Sequence, residues 1–173
     1  MATAPQDTLR KVFVDGLRNA HALENQAMAL MDRQIEHLAN YADVEQQLRA
    51  HRGETERQIE RLETILESLG ESPSMVKDMA LTMSGNMAAL GHTFAPDEIL
   101  KNSFANYAFE SFEVASYTAL CVLAEDGGYT EALPLLKQTL GEEQAMQNWV
   151  AKTLPVVVRK YVDRRAEGET ASH

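Results

Sequence analysis

The sequence predicts an all-α fold, an antiparallel four-helix bundle with a long crossover, carrying an extra helix, between its second and third helices. Three observations predict it. Apolar residues recur at alternating spacings of about three and four, as in Phe13, Leu17, Ala20, Ala27, Met31 and Leu38, which is the period of one helix face. Nine glycines and five prolines in 173 residues are too few for a sandwich or barrel, which needs a turn roughly every ten residues. These breakers also fall at only a few places in the chain.

The elements follow from that punctuation. Asp7 caps a first helix reaching about Ala39, and residues 40–43 form a short turn. A second helix runs from about Val44 to Leu69 and stops at Gly70, with Pro73 soon after. Pro96, Asp97 and Glu98 read as the first turn of a third helix, with acids at the positive end of its dipole. It ends at Gly127-Gly128. Thr130 caps a fourth helix, and Pro155 kinks or ends its regular part. Some 25 residues separate Gly70 from Pro96, far more than a hairpin needs. Short turn, long crossover, short turn is the connectivity of ferritin-like bundles. One domain over residues 1–173 is expected, with its core at about 7–155 and a solvated end from about 160.

Composition narrows the function. The chain is 45% hydrophobic and 24% charged, which is globular, and its formal charge of −10 argues against a nucleic-acid partner. Met1–Arg10 lacks the apolar run of a signal peptide, and the charge-free stretch Met79–Pro96 is too polar to span a membrane. Cys121 cannot form an internal disulfide and reads as a small buried hydrophobe. A cytoplasmic protein without membrane contacts is expected. No Gly-rich phosphate loop, Cys-x-x-Cys pair or nucleophile elbow is present, so no organic cofactor is expected.

The informative residues are acids in apolar seams. Glu24 occupies the inward stripe of the first helix, and Glu143 that of the fourth, between Leu140 and Met146. An ionised carboxylate in a dry core is costly unless paired or bound to a cation. Spacing adds an independent argument. Glu24 and Glu54 are 30 residues apart about a midpoint beside the first turn, and Glu113 and Glu143 are 30 apart about Gly128. Each pair is therefore level across its hairpin, roughly 22 Å from the turn, and equal depth lets all four meet. Glu110, one turn before Glu113, shares its face. Convergent carboxylates suit hard cations such as iron(II), manganese(II), magnesium or calcium, and a paired-metal site in a bundle core is a known solution.

The sequence also resembles the YciE/YciF family of ferritin-like proteins. The resemblance rests on His21-Ala-Leu-Glu24-Asn-Gln26, His51-x-x-Glu54-Thr55 with Gln58-Ile-Glu-Arg-Leu62, and Glu110-x-x-Glu113-x-Ala-Ser-Tyr117. Leu123-Ala124-Glu125 with Gly128-Tyr129, and Leu135-Leu136-Lys137 leading to Glu142-Glu143, extend it over about Leu9 to Pro155. It implies a di-iron-type carboxylate site with Glu24, Glu54, Glu113 and Glu143 as ligands and Glu110 as a further one. Ferritins and rubrerythrins carry Glu-x-x-His on their second and fourth helices, whereas this chain has Arg57 and Met146 there. His51 and Gln58, one turn either side of Glu54, are the weaker substitutes.

Other residues carry two readings each. Tyr117, one turn beyond Glu113, either donates a hydrogen bond near the ligands or is a half-buried aromatic. His21 reads as structural. Met75, Met79, Met83 and Met87 make a pliable ridge in the crossover, for packing over the bundle or for a subunit contact. The expected protein binds two iron ions, or manganese, reacts with dioxygen or hydrogen peroxide in a bacterial stress response, and is a homodimer built partly on the crossover. The alternative is a non-enzymatic structural or interaction protein of the stress response, favoured by the absent histidines.

Overall fold

A computed structural model describes residues 4–73 and 97–169. Four helices account for nearly all of them: α1 (Ala4–Ile35), α2 (Ala42–Ser68), α3 (Glu98–Gly127) and α4 (Ala132–Ala166). The extra helix and the methionine ridge expected in the crossover lie outside the described residues.

Cross-helix hydrogen bonds give the directions. Gln34 and Asn106 exchange amide hydrogen bonds at 2.9 Å in each direction, and Tyr117 of α3 donates to Glu24 of α1. Arg10 near the start of α1 donates to Leu69 O and to Glu71, at and beyond the end of α2, at 2.9 Å each. Gln58 of α2 donates to Glu143 of α4, and Gln47 to Met146 Sδ at 3.6 Å. Thus α1 is antiparallel to α2 and to α3, and α4 is antiparallel to both of its neighbours. Helices α2 and α3 then run the same way, so a chain joining them has to travel the length of the bundle, which is what a long crossover is for.

The helix ends correct several sequence expectations. Helix α1 begins at Ala4, so Asp7 is an acid in its first turn rather than its cap. It stops at Ile35, short of Ala39, because the chain turns to bury Leu38 and Tyr41 beneath the bundle end. Lys160 of α4 lies over the Tyr41 ring, 5.1 Å from its centroid. Glu131, not Thr130, occupies the N-cap position of α4, and its side chain makes no capping bond. The turn before it is held from the α3 side instead. Gly128 sits at φ 72°, and the Tyr129 N–H reaches back to Ala124 O at 2.9 Å. A Cβ on Gly127 would fall 2.4 Å from the Tyr129 ring, which stacks on Phe13 with centroids 4.5 Å apart. That stack pins the α3–α4 turn to α1.

Pro155 does not end α4, which continues to Ala166. Its ring is exposed, and buried Val157 anchors the following turn to the core. That burial offsets a lost backbone bond of roughly 3 kcal/mol.

The core has two apolar parts. Phe13, Leu17, Leu66, Leu120 and Leu136 pack at the end bearing the α3–α4 turn. Leu23, Met31, Leu48, Met146 and Val150 pack toward the other end. Polar side chains from all four helices occupy the level between them.

Candidate metal centre

Each helix delivers its polar residue to that level by continuing its own apolar stripe. On α1, Glu24 replaces a stripe residue between Ala20 and Ala27. On α2 the inward line is Leu48, His51, Thr55, Gln58 and Leu62, at spacings of three and four, and all five are buried. On α3 the line is Glu110, Glu113 and Tyr117, and on α4 it is Leu136, Thr139, Glu143 and Met146. Glu24 and Glu113 are 1% exposed, Glu143 0%, Glu110 5% and His51 2%.

His51 faces two of the buried carboxylates. Its Nε2 is 3.4 Å from Glu110 Oε2 and 3.6 Å from Glu143 Oε2. One donor atom from each of these three residues lies within 4.8 Å of the others. Its Nδ1 is 3.0 Å from Glu54 Oε2. Glu54, with 34% of its side chain exposed, therefore stands at the rim and touches the imidazole from outside.

Several donors are held on one side and free on the other. Tyr117 donates its hydroxyl to Glu24 Oε1, leaving Oε2 without a hydrogen bond. Gln58 donates to Glu143 Oε1, leaving Glu143 Oε2 without one. Glu54 holds His51 Nδ1 while Nε2 faces the carboxylates. Glu110 Oε2 and Glu113 Oε1 also lack an aligned partner. Gln58 is in turn set by Glu142, 3.1 Å from its Nε2, which Arg61 grips with two bonds of 2.6 and 2.8 Å. Unpaired buried oxygens are expensive, and those of Glu110 and Glu143, clustered with the His51 imidazole, fit a hard cation. Orientation of first ligands by an outer set of hydrogen bonds is the usual construction of a metal site.

The electrostatics agree with that chemistry. Burial pushes the Glu24 carboxyl up to about 7, against the Tyr117 hydrogen bond and the His51 charge, which lower it. Burial, with the charges of Glu24 and Glu110, lifts Glu143 to about 9 although His51 opposes it. Glu113 rises well above the ordinary carboxyl range through burial and the Glu24, Glu143 and Glu110 charges. Burial lowers the His51 pKa, but hydrogen bonds to Glu110 and Glu54 and the surrounding carboxylates outweigh it and raise it well above its usual value. Without a cation, the cluster holds protons where a metal would supply positive charge.

Of the residues singled out in the sequence, the fold brings Glu24, Glu110, Glu113, Glu143, Tyr117, His51 and Gln58 into one buried layer. Glu54 reaches it through His51. Hairpin arithmetic sets the depth of a residue but not the direction in which it points. The signal that places His51 inward is the α2 stripe from Val44 through Leu48 to Leu62 and Ile65, all buried. Where ferritins have histidines, Arg57 is exposed and Met146 is buried in apolar packing. His21 lies outside the layer, its Nε2 3.0 Å from Glu63. Cys121 is buried, which raises its thiol pKa.

Fold and layer together define a ferritin-like helical bundle with a candidate metal centre. The chain belongs to the family described as "Domain of unknown function (DUF892)", whose model matches residues 8–163. It is 33% identical over 146 residues to protein YciF of Escherichia coli K12, covering 80% of this chain and 85% of that one. Among solved structures it is similar to the E. coli stress protein YciF, with a TM-score of 0.73 and 28% identity, covering 92% of this chain and 99% of that one. A Xanthomonas campestris protein gives a TM-score of 0.76 and 25% identity over 91% of this chain and 99% of its own. No helix among the described residues is long and apolar enough to cross a membrane.

Proposed function

We propose that this layer holds two metal ions, iron or alternatively manganese, and reacts with dioxygen or hydrogen peroxide in a stress response. The observation that supports it most is the set of buried carboxylate oxygens without an aligned hydrogen bond on Glu24, Glu110, Glu113 and Glu143, of which those of Glu110 and Glu143 lie near His51 Nε2. Bound iron would supply the one-electron chemistry that no side chain here provides. The stress association comes from similarity to the E. coli stress protein.

The chain's own residues prepare the site. Glu24, Glu110, Glu113 and Glu143 offer oxygen, and His51 offers one nitrogen. Tyr117 and Gln58 select which oxygen of Glu24 and of Glu143 is presented. Glu54 works through the imidazole, fixing its tautomer so that Nε2 carries the lone pair. The two apolar core clusters keep bulk water away from the layer.

Metal analysis of protein purified without chelator, followed by rapid mixing of the ferrous form with oxygen or peroxide, tests the proposal. About two metals per chain and a fast absorbance rise are expected. A clean preparation that takes up no metal on ferrous titration would overturn it.

A further inference from the structure

Long polar side chains bridge α2 and α4 beside the acidic layer. Arg61 of α2 reaches across to α4, where its Nη1 donates to Thr139 Oγ1 at 3.0 Å and to Glu142 Oε2 at 2.6 Å, and its Nη2 to Glu142 Oε1 at 2.8 Å. Gln138, one turn earlier on α4, adds a bond of 3.2 Å to the same Oε1. Glu142 and Glu143 are successive residues and so point about 100° apart. Glu143 lies inside the bundle, whereas Glu142 lies at the seam with 18% of its side chain exposed. Gln58, fully buried, touches both acids through one atom. Its Nε2 donates to Glu142 Oε2 at 3.1 Å and to Glu143 Oε1.

The other end of that amide is idle. Gln58 Oε1 is buried and has no aligned hydrogen-bond donor, an arrangement that folded cores avoid and that needs a cause. An amide turns end for end by rotation about one bond. Turned here, Oε1 would stand where Nε2 now stands, against both acids. A carboxylate clasped by a guanidinium accepts hydrogen bonds and donates none, so Glu142 admits the N–H end alone.

We infer that Arg61 and Glu142 are positioning residues that lock the Gln58 amide with its N–H end toward Glu143, and so decide that Glu143 Oε1 is tied while Oε2 is left for a cation. Neither is one of the proposed ligands; each acts through Gln58. A reversed amide would aim its carbonyl oxygen at Glu143 and repel the carboxylate that a cation requires. The consequence for metal binding rests on the metal reading proposed above, whereas the orientation of the amide does not. A simple brace between α2 and α4 would make no demand on which end of Gln58 faces the acids.

Exchange of the Gln58 side-chain NH2 protons, followed by nitrogen-15 NMR in metal-free protein, reads the lock directly. Arg61→Met and Glu142→Gln should each speed it about tenfold or more, with the helical spectrum unchanged. Iron(II) affinity, measured without oxygen in competition with a chromophoric chelator, should fall about tenfold in each, the low end of the range for outer-set residues. In a Gln58→Leu background the same two substitutions should change affinity by less than about threefold, because their route to the site is gone. The exchanged pair, Arg61→Glu with Glu142→Arg, separates positioning from bracing. It restores an α2–α4 ion pair and with it the melting temperature, but it meets Gln58 with a donor in place of an acceptor, so neither amide protection nor affinity should return. Amide protons indifferent to both single substitutions, undiminished losses in the Gln58→Leu background, or full recovery of affinity in the exchanged pair would overturn the inference. Wild type that binds no iron would overturn the metal reading instead, with the amide exchange still deciding this one.

Discussion

The two sides of α3 invert the ordinary rule for a surface helix. Its inner side presents Glu110 and Glu113 to the core, and its outer side presents Phe104, Phe112 and Val122 to solvent. On α2 the outer side is conventional: Arg52 pairs with Glu56, and Arg49 with Glu45. The difference teaches that only some of a helix's hydrophobic residues need hold it in place. Helix α3 is held by Ile99, Phe109, Leu120 and Ala124 above and below the acidic layer. That leaves its middle free to be polar within and apolar without.

The sharpest way to break the contrast is to remove the inner acids. Glu143→Ala should abolish most metal uptake, with affinity falling by about a hundredfold or more, while circular dichroism remains helical; unchanged metal content would remove Glu143 from the site. His51→Ala should act almost as strongly. Glu54→Ala should cost about tenfold, the usual range for an outer-set residue being 10–100-fold. A loss with Glu54→Ala that equals that of Glu143→Ala would make Glu54 a direct ligand.

A second expectation concerns pH in the metal-free protein. Glu24 and Glu143 have folded pKa values near 7 and 9, above the usual value of 4.5. The folded state therefore binds more protons than the unfolded state between these values, and stability falls as pH rises. Their contribution is complete below about pH 4.5 and is lost through pH 7 to 9, with Glu24 alone worth on the order of 3 kcal/mol. The raised pKa of His51 acts in the same direction. Thermal melts of chelated protein should show the decline, and added metal should reverse it because metal binding displaces protons. A metal-free stability that rises from pH 5 to 8 would contradict it.

Smaller effects refine the picture. Tyr117→Phe removes the hydroxyl that holds Glu24 Oε1, and metal affinity should drop severalfold with little change in fold, as measured by competitive titration. Val156→Lys, an exposed change among basic residues, should leave melting within about 0.5 kcal/mol of wild type.

Much of this could be read from residues alone. Gly70, Gly127-Gly128 and the apolar periodicity placed five of the six internal helix ends within a residue or two. The exceptions have local causes: Leu38 and Tyr41 are drawn under the bundle, and Pro155 rides through α4 because Val157 beyond it is anchored in the core. Glu24 and Glu143 were visible as acids in apolar seams. His51 was visible only as a neighbour of Glu54, since hairpin arithmetic measures depth and ignores rotation.

Sequence by itself determined the helices, their order and the level at which acids from α1, α3 and α4 arrive, because periodicity and turn position are local properties of a chain. Tertiary structure alone decided that α2 turns His51 inward and leaves Glu54 at the rim, which oxygen of each carboxylate is tied, and that the outside of α3 stays bare. Those outcomes depend on how each helix is rotated against the others, and rotation is settled only when four stripes compete for one interior.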